Sequence, residues 1–266
     1  MGPMRALLGA TWLVVACSRP APPTEAPPPA PTAPLAATPS FASPPSASPA
    51  PSSLPRSSVA LPPPPVRGVY LGRTLAKPMS YQGADWLERS DRELTDRPEH
   101  VLDVIALKPD DTVADVGAGS GYFTERIARR LTPRGRVIAT DLQPEMLAMI
   151  RKKMAAKALT NVEPRLATET DSALPPAAVD VALMVDVYHE LPRPDLTLQQ
   201  VRASLRRGGR LVLVEYRGED ASVPVKPEHK MTLAQIRREL EASAFSVVSV
   251  DESLPHQRIV IAKPAE

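Results

Sequence analysis

An α/β fold is what this 266-residue sequence predicts for residues 67–266: a seven-stranded, mostly parallel sheet with helices on both faces. Three observations carry that expectation. Short β-branched or apolar runs alternate with longer helical patterns, as strands buried on both faces do when helices connect them. Glycine stands at every second position from Gly117 to Gly121, in the turn that joins the first such run to a helix. The last two runs are separated only by a short loop, as in an antiparallel hairpin at a sheet edge.

The first 66 residues read differently. Arg5 precedes an apolar run from Ala6 to Ala16 that is too short to span a bilayer, so residues 1–17 read as a signal peptide. Val14-Val15-Ala16-Cys17 resembles the bacterial lipobox, whose cysteine becomes the lipidated first residue of the mature protein. Ser18 resembles the residue that sends such proteins to the outer membrane in enteric bacteria. The resemblance implies a protein anchored to a membrane through lipidated Cys17 and placed in the cell envelope; an unused signal implies the cytoplasm instead. Cys17 is the sole cysteine, which excludes an intramolecular disulfide. More than half of the 33 prolines fall between Ser18 and Val66, among Ala, Ser and Thr, so residues 18–66 have too little apolar surface to fold. They read as a disordered tether of at most about 150 Å, at ~3.1 Å per residue.

Residues 67–100 read as a strap over core surface or a lid over a site, because Arg73 to Arg89 carries Met79, Tyr81, Trp86 and Leu87 without a clear period. Asp91 to Leu107 reads as a helix that Pro98 begins or kinks. Buried parallel strands are then expected at Thr112 to Val116, Arg136 to Asp141, Val162 to Ala167, Val179 to Val185 and Arg210 to Glu215. Helices are expected between them at Tyr122 to Leu131, Pro144 to Lys157 and Pro194 to Arg206, two of them with proline in the first turn. A helix from Thr232 to Ser243 and strands at Phe245 to Val250 and Arg258 to Ala262 complete the chain.

The formal net charge of +2 traces to Arg5, Arg19 and Arg56 set against Glu25, which leaves residues 67–266 close to neutral. Bases are interspersed with acids, and aromatic residues make up only 4%. This is not the basic, base-stacking surface of a nucleic-acid binder, so a small-molecule substrate is expected.

Val113-Ala114-Asp115-Val116-Gly117-Ala118-Gly119-Ser120-Gly121 is a strand running into a glycine loop, where a ligand can lie against bare backbone. The dinucleotide fingerprint fails in both registers, because Tyr122 and Thr124 stand where glycine is required. That argues against a nicotinamide oxidoreductase. Asp115 repels a pyrophosphate but attracts an ammonium, and Asp141 ends the second strand where a carboxylate can accept from two ribose hydroxyls. With Leu205-Arg206-Arg207-Gly208-Gly209-Arg210-Leu211 before the fifth strand, these residues resemble the class I S-adenosylmethionine-dependent methyltransferases over roughly residues 101–262. Arg207 departs from their proline-containing turn. The resemblance implies a Rossmann-like sheet of order 3-2-1-4-5-7-6 with strand 7 antiparallel, and S-adenosylmethionine as cofactor. It places the methionine end on Asp115, Gly117, Ala118, Gly119 and Gly121, the ribose on Asp141, and the adenine against Leu142. The adenine edge falls to Thr168, Glu169 or Asp171, and Asp186 joins the cofactor set.

Methyl transfer from a sulfonium is an in-line displacement, which needs a positioned nucleophile and, where it carries a proton, a base. The fourth strand ends in Asp186-Val187-Tyr188-His189-Glu190. His189 is the candidate base, Glu190 or Asp186 its orienting carboxylate, and Tyr188 a further catalytic candidate. Glu215-Tyr216-Arg217 ends the fifth strand, and Val223 to Met231 reads as a substrate-side loop. His189, His229 and His256 show no tight metal-ligand spacing, so no metal is expected. The expected activity is methyl transfer to a small acceptor; the alternative is a tethered, non-catalytic binding module.

Overall fold

The computed structural model describes residues 62–266; the signal peptide, Cys17 and all but the last residues of the tether lie outside them. Seven strands form the main sheet: β1 (Thr112–Val116), β2 (Arg136–Asp141), β3 (Val162–Leu166), β4 (Val179–Val185), β5 (Leu205–Tyr216), β6 (Phe245–Asp251) and β7 (Gln257–Pro264). Their spatial order is β3-β2-β1-β4-β5-β7-β6. The first five are parallel, and β7 runs antiparallel to both β5 and β6. This is the sheet order and Rossmann-like class expected.

The period of two sorts the central strands between two cores. Ala114, Ala182, Met184, Leu211 and Leu213 face one side, against Leu198 and Val201 of α6 (Pro194–Ser204) and Ile236 and Leu240 of α7 (Leu233–Ala242). Val113, Val181, Leu183, Val212 and Val214 face the other, against α3 (Pro98–Ile105) and α4 (Tyr122–Arg130). On β2, Ala139 packs on Leu147, Ile150 and Met154 of α5 (Pro144–Ala156). Each fully buried aliphatic side chain stabilises the fold by about 1.5–3 kcal/mol before ordering entropy is counted. Proline opens α3, α5 and α6, where its missing N–H costs nothing, and Thr232 with Gln235 forms a capping box on α7.

Three elements differ from expectation. β3 is not buried on both faces: it is the sheet edge, and Leu166 is 54% exposed. The single helix expected from Asp91 is two, α2 (Arg92–Thr95) and α3, because Arg97 takes a left-handed φ of 44° just before Pro98. β5 begins at Leu205 rather than Arg210; the pairing skips between Val179 and Val181, and this irregularity absorbs the glycine turn, with Gly208 at φ 84°.

Ahead of α2, residues 69–74 form a small hairpin, followed by α1 (Ala84–Leu87). Arg73 of that hairpin is buried and donates through Nε and Nη2 to both oxygens of Glu239 on α7, at 2.7 and 2.8 Å. The Tyr188 hydroxyl donates to the same carboxylate at 2.8 Å, and Arg73 Nη1 donates to the His189 carbonyl at 3.1 Å. Removing one partner of such a buried pair strands the other. Glu239→Ala is therefore expected to cost about 3–5 kcal/mol. Glu99→Ala, which breaks the exposed pair with Arg130, is expected to cost under about 1 kcal/mol. Urea unfolding of the two variants checks the contrast.

Candidate active site

The carboxyl ends of β1, β2, β4 and β5 open into a cavity of about 560 Å³. At one end lies the glycine loop. Gly117, Gly119 and Gly121 have φ of 70°, 55° and 80°, a conformation that side chains resist. A Cβ at Gly117 would stand 2.5 Å from Val187 Cγ1, and one at Gly119 would stand 2.8 Å from Leu87 Cδ1. The loop is a cradle that only glycine keeps open. Gly117 and Ala118 donate to the Thr140 carbonyl at 2.8 and 2.9 Å, which ties the loop to β2.

Asp141 accepts from Gly119 N through Oδ2 and from Gln143 N through Oδ1, both at 2.9 Å, so its carboxylate is held at the cavity wall. Burial raises its carboxyl above the usual value, with the Gln143 and Gly119 amides opposing. Asp115 Oδ2 accepts from the Thr124 hydroxyl at 2.6 Å. Burial raises the Asp115 carboxyl to about 6, against that hydrogen bond. Asp186 takes a left-handed φ of 53° at the end of β4 and accepts from Gln257 Nε2 on both oxygens, at 2.9 and 2.7 Å. Burial and the nearby Glu215 raise its carboxyl to about 7.

Leu142, Thr168 and Glu169 also line the cavity, whereas Asp171 is turned to the Ala173 amide. The adenine-edge choice thus narrows to Thr168 and Glu169. Gly121 is not in the wall: it starts α4, with a Cβ position 2.9 Å from Ile150, and its service is to the backbone.

At the other end stand His189, Glu190 and His229. His189 is 2% exposed, and its Nδ1 lies 2.6 Å from Glu215 Oε2. The other oxygen of Glu215 accepts from Tyr188 N at 2.9 Å. The residue that orients His189 is therefore Glu215 on the adjoining strand, not Glu190 or Asp186. Burial opposes the charged imidazole, but the Glu215 carboxylate outweighs it and raises His189 above its usual value. His229, on the loop after β5, brings Nδ1 to 3.1 Å from His189 Nε2. Burial and the charge of His189 lower its pKa.

Tyr188 is corrected. Its ring is wholly buried in the core, with its hydroxyl on Glu239, because successive side chains of this one-turn helix point to different sides. Tyr216 lines the cavity, and Arg217 is turned away to carbonyls of residues 254, 255 and 257. The strap supplies cavity wall as well as core cover: Lys77, Pro78, Met79, Trp86 and Leu87 line it, and Gln143 accepts from Tyr81 N and donates to the Met79 carbonyl. The role of Glu215 in holding His189 was missed; a buried acid in an apolar strand, Val214-Glu215-Tyr216, was its signal.

Residues 114–211 match a family described as a methyltransferase domain. An S-adenosylmethionine-dependent methyltransferase from Aquifex aeolicus superposes with a TM-score of 0.65 at 28% identity, covering 70% of this chain and 98% of that one. An arsenite methyltransferase of Halobacterium salinarum is 31% identical over 108 residues, 41% of this chain and 28% of its own length. A ubiquinone/menaquinone biosynthesis C-methyltransferase of Shewanella frigidimarina is 23% identical over 168 residues, 63% of this chain and 60% of its own. The chain thus spans less than two thirds of these curated relatives. Sheet order, glycine loop and matched domain are those of a Rossmann-like methyltransferase domain, and they support S-adenosylmethionine as its cofactor. The residues present fit that molecule: a glycine cradle, a buried carboxylate for an ammonium, and a second carboxylate for hydroxyls.

Protonated Asp115 has no charge to offer an ammonium, and its ionised form prevails only above about 6. Affinity for S-adenosylhomocysteine is therefore expected to fall as pH drops, by about tenfold per unit once below that value. Asp115→Asn is expected to lower affinity at neutral pH and to flatten most of this slope. Calorimetric titrations across the pH range check both.

Proposed function

We propose that the protein transfers the methyl group of S-adenosylmethionine to a small molecule that enters the cavity beside His189 and Glu190. The observation that carries this reading is the division of one cavity into two chemical ends. Asp115, Asp141 and the glycine loop form the end suited to the cofactor, and His189, Glu190 and His229 form an end that cofactor binding alone does not require.

When bound, S-adenosylmethionine supplies an electrophilic methyl on a sulfonium. The protein's own part is positional. Asp115 would hold the ammonium of the amino-acid moiety and Asp141 the ribose hydroxyls, which would fix the sulfonium for transfer. Thr168 or Glu169 would meet the adenine edge, and Leu142 would pack on the ring. His189, its ring fixed by Glu215 at Nδ1, presents Nε2 beside His229 Nδ1 at the acceptor end of the cavity, where it can accept a proton or bind. Met79, Trp86 and Leu87 of the strap line the cavity and would shield a bound sulfonium from water. A non-catalytic module would not need the polar atoms of His189, Glu190 and His229 brought into the wall of the same cavity.

We also propose that Cys17 carries lipid and that the tether holds the domain away from a membrane. Two signals in one acylated cysteine, several buried chains at about 0.8 kcal/mol per methylene, suffice for stable anchoring. Among the described residues no helix is long and apolar enough to cross a membrane.

Purified full-length protein is expected to release S-adenosylhomocysteine when offered the cofactor with a panel of chemically diverse acceptors. His189→Ala is expected to lower that rate by about 10²- to 10⁴-fold while leaving S-adenosylhomocysteine affinity within a few-fold. Loss of cofactor binding in His189→Ala, or no release with any acceptor by a protein that binds the cofactor, contradicts the reading. For the anchor, mass spectrometry of the mature amino terminus is expected to find lipid on Cys17; an intact Met1 overturns it.

A further inference from the structure

We propose that His189, Glu190 and His229 bind one divalent transition-metal ion of the zinc type, with an open coordination position that faces the cofactor cavity. Three donor atoms converge there from two separate segments. His189 Nε2 lies 3.1 Å from His229 Nδ1, Glu190 Oε1 lies 3.4 Å from His229 Nδ1, and Glu190 Oε1 lies 3.8 Å from His189 Nε2. A tetrahedral ion with bonds of about 2.0–2.1 Å holds its ligand atoms about 3.3 Å apart. The three separations bracket that value.

The surroundings have the features of a built site. Glu215, which has no exposed surface, takes the Nδ1 side of His189. In the tautomer that gives its N–H to that carboxylate, Nε2 offers its lone pair beside the other two donors. A carboxylate behind a ligating histidine fixes the tautomer and strengthens the ligand. Glu190 is steadied in the same way, because Oε2 accepts from Met79 N at 3.3 Å while Oε1 stays at the cluster. The carboxylate of buried Glu215 adds negative charge nearby, which favours a cation. Two imidazoles and one carboxylate suit zinc and its neighbours rather than magnesium or calcium. Three protein ligands with a fourth position open is the arrangement of a catalytic rather than a structural ion.

Such an ion defines the acceptor chemistry, and that extension rests on the methyltransferase reading, although ion binding itself does not. The acceptor is a coordinating heteroatom that can lose a proton, a thiol or an acidic hydroxyl. On coordination its proton passes to solvent, and the metal holds the resulting anion. The anion's electron pair forms the bond to the methyl carbon. The carbon–sulfur bond breaks, and its pair stays on sulfur, which leaves as the neutral thioether.

The test uses full-length protein stripped of metal by a chelator and titrated with Co²⁺, followed by visible absorption, and with Zn²⁺, followed by calorimetry. One equivalent is expected, with the intense visible bands of four- or five-coordinate Co²⁺. His229→Ala and Glu190→Gln are expected to weaken binding at least 100-fold, Glu215→Gln to weaken it about 10- to 100-fold, and His256→Ala to leave it unchanged. Circular dichroism and S-adenosylhomocysteine binding in each variant report folding independently. Metal binding without cofactor binding supports the site and sinks the methyltransferase reading. A folded, cofactor-binding protein that takes up no stoichiometric metal, or whose metal affinity is indifferent to His229→Ala, overturns the site.

Discussion

Glu215 has no exposed surface, and a carboxylate buried there costs stability unless both oxygens are partnered. Its partners are the Tyr188 amide and the His189 ring, and together they set the turn after β4. That turn in turn sets the strap. The His189 carbonyl accepts from Arg73 and from Ala76 N, while Glu190 accepts from Met79 N. Arg73 is anchored by Glu239 on α7, which also receives the Tyr188 hydroxyl. One run of buried polar contacts thus links the sheet, the helix behind it and the segment that covers the cavity. Cofactor cover and acceptor face share the same scaffold.

The site concentrates features that stability alone does not favour. Asp115, Asp186, Glu190 and Glu215 lie in or beside one cavity, and burial raises three of them towards their neutral forms. Asp186 holds a left-handed backbone that a β-carbon resists, and three successive alternate glycines do the same beside it. Desolvated acids at a strand end become useful when a positively charged ligand enters. A sulfonium with an ammonium supplies that charge at the glycine-loop end, and binding is expected to return some of the stability that crowding removes.

The glycine-loop end of the cavity was legible in the sequence because its parts are contiguous. Asp115 and the glycines lie in one seven-residue stretch, and Asp141 ends the next strand. The strands and helices were legible from their alternating periods, and the sheet order through the resemblance that the glycine loop carries. The His189 end was not, because its partners meet only in the fold: Glu215 is 26 residues from His189, His229 is 40, and Arg73 is 116. Linear spacing kept the histidines from reading as a cluster, and it made Tyr188 look catalytic beside His189 although their side chains part. The edge exposure of β3 and the break at Arg97 depend on what packs alongside, and no local pattern carries that.

The most direct measurement is a crystal structure of the protein grown with S-adenosylhomocysteine. The account predicts ligand density in the cavity, with the amino group by Asp115, both ribose hydroxyls on Asp141, and the sulfur directed towards His189. An empty cavity at saturating ligand, or a ligand bound with its ribose away from Asp141, contradicts it.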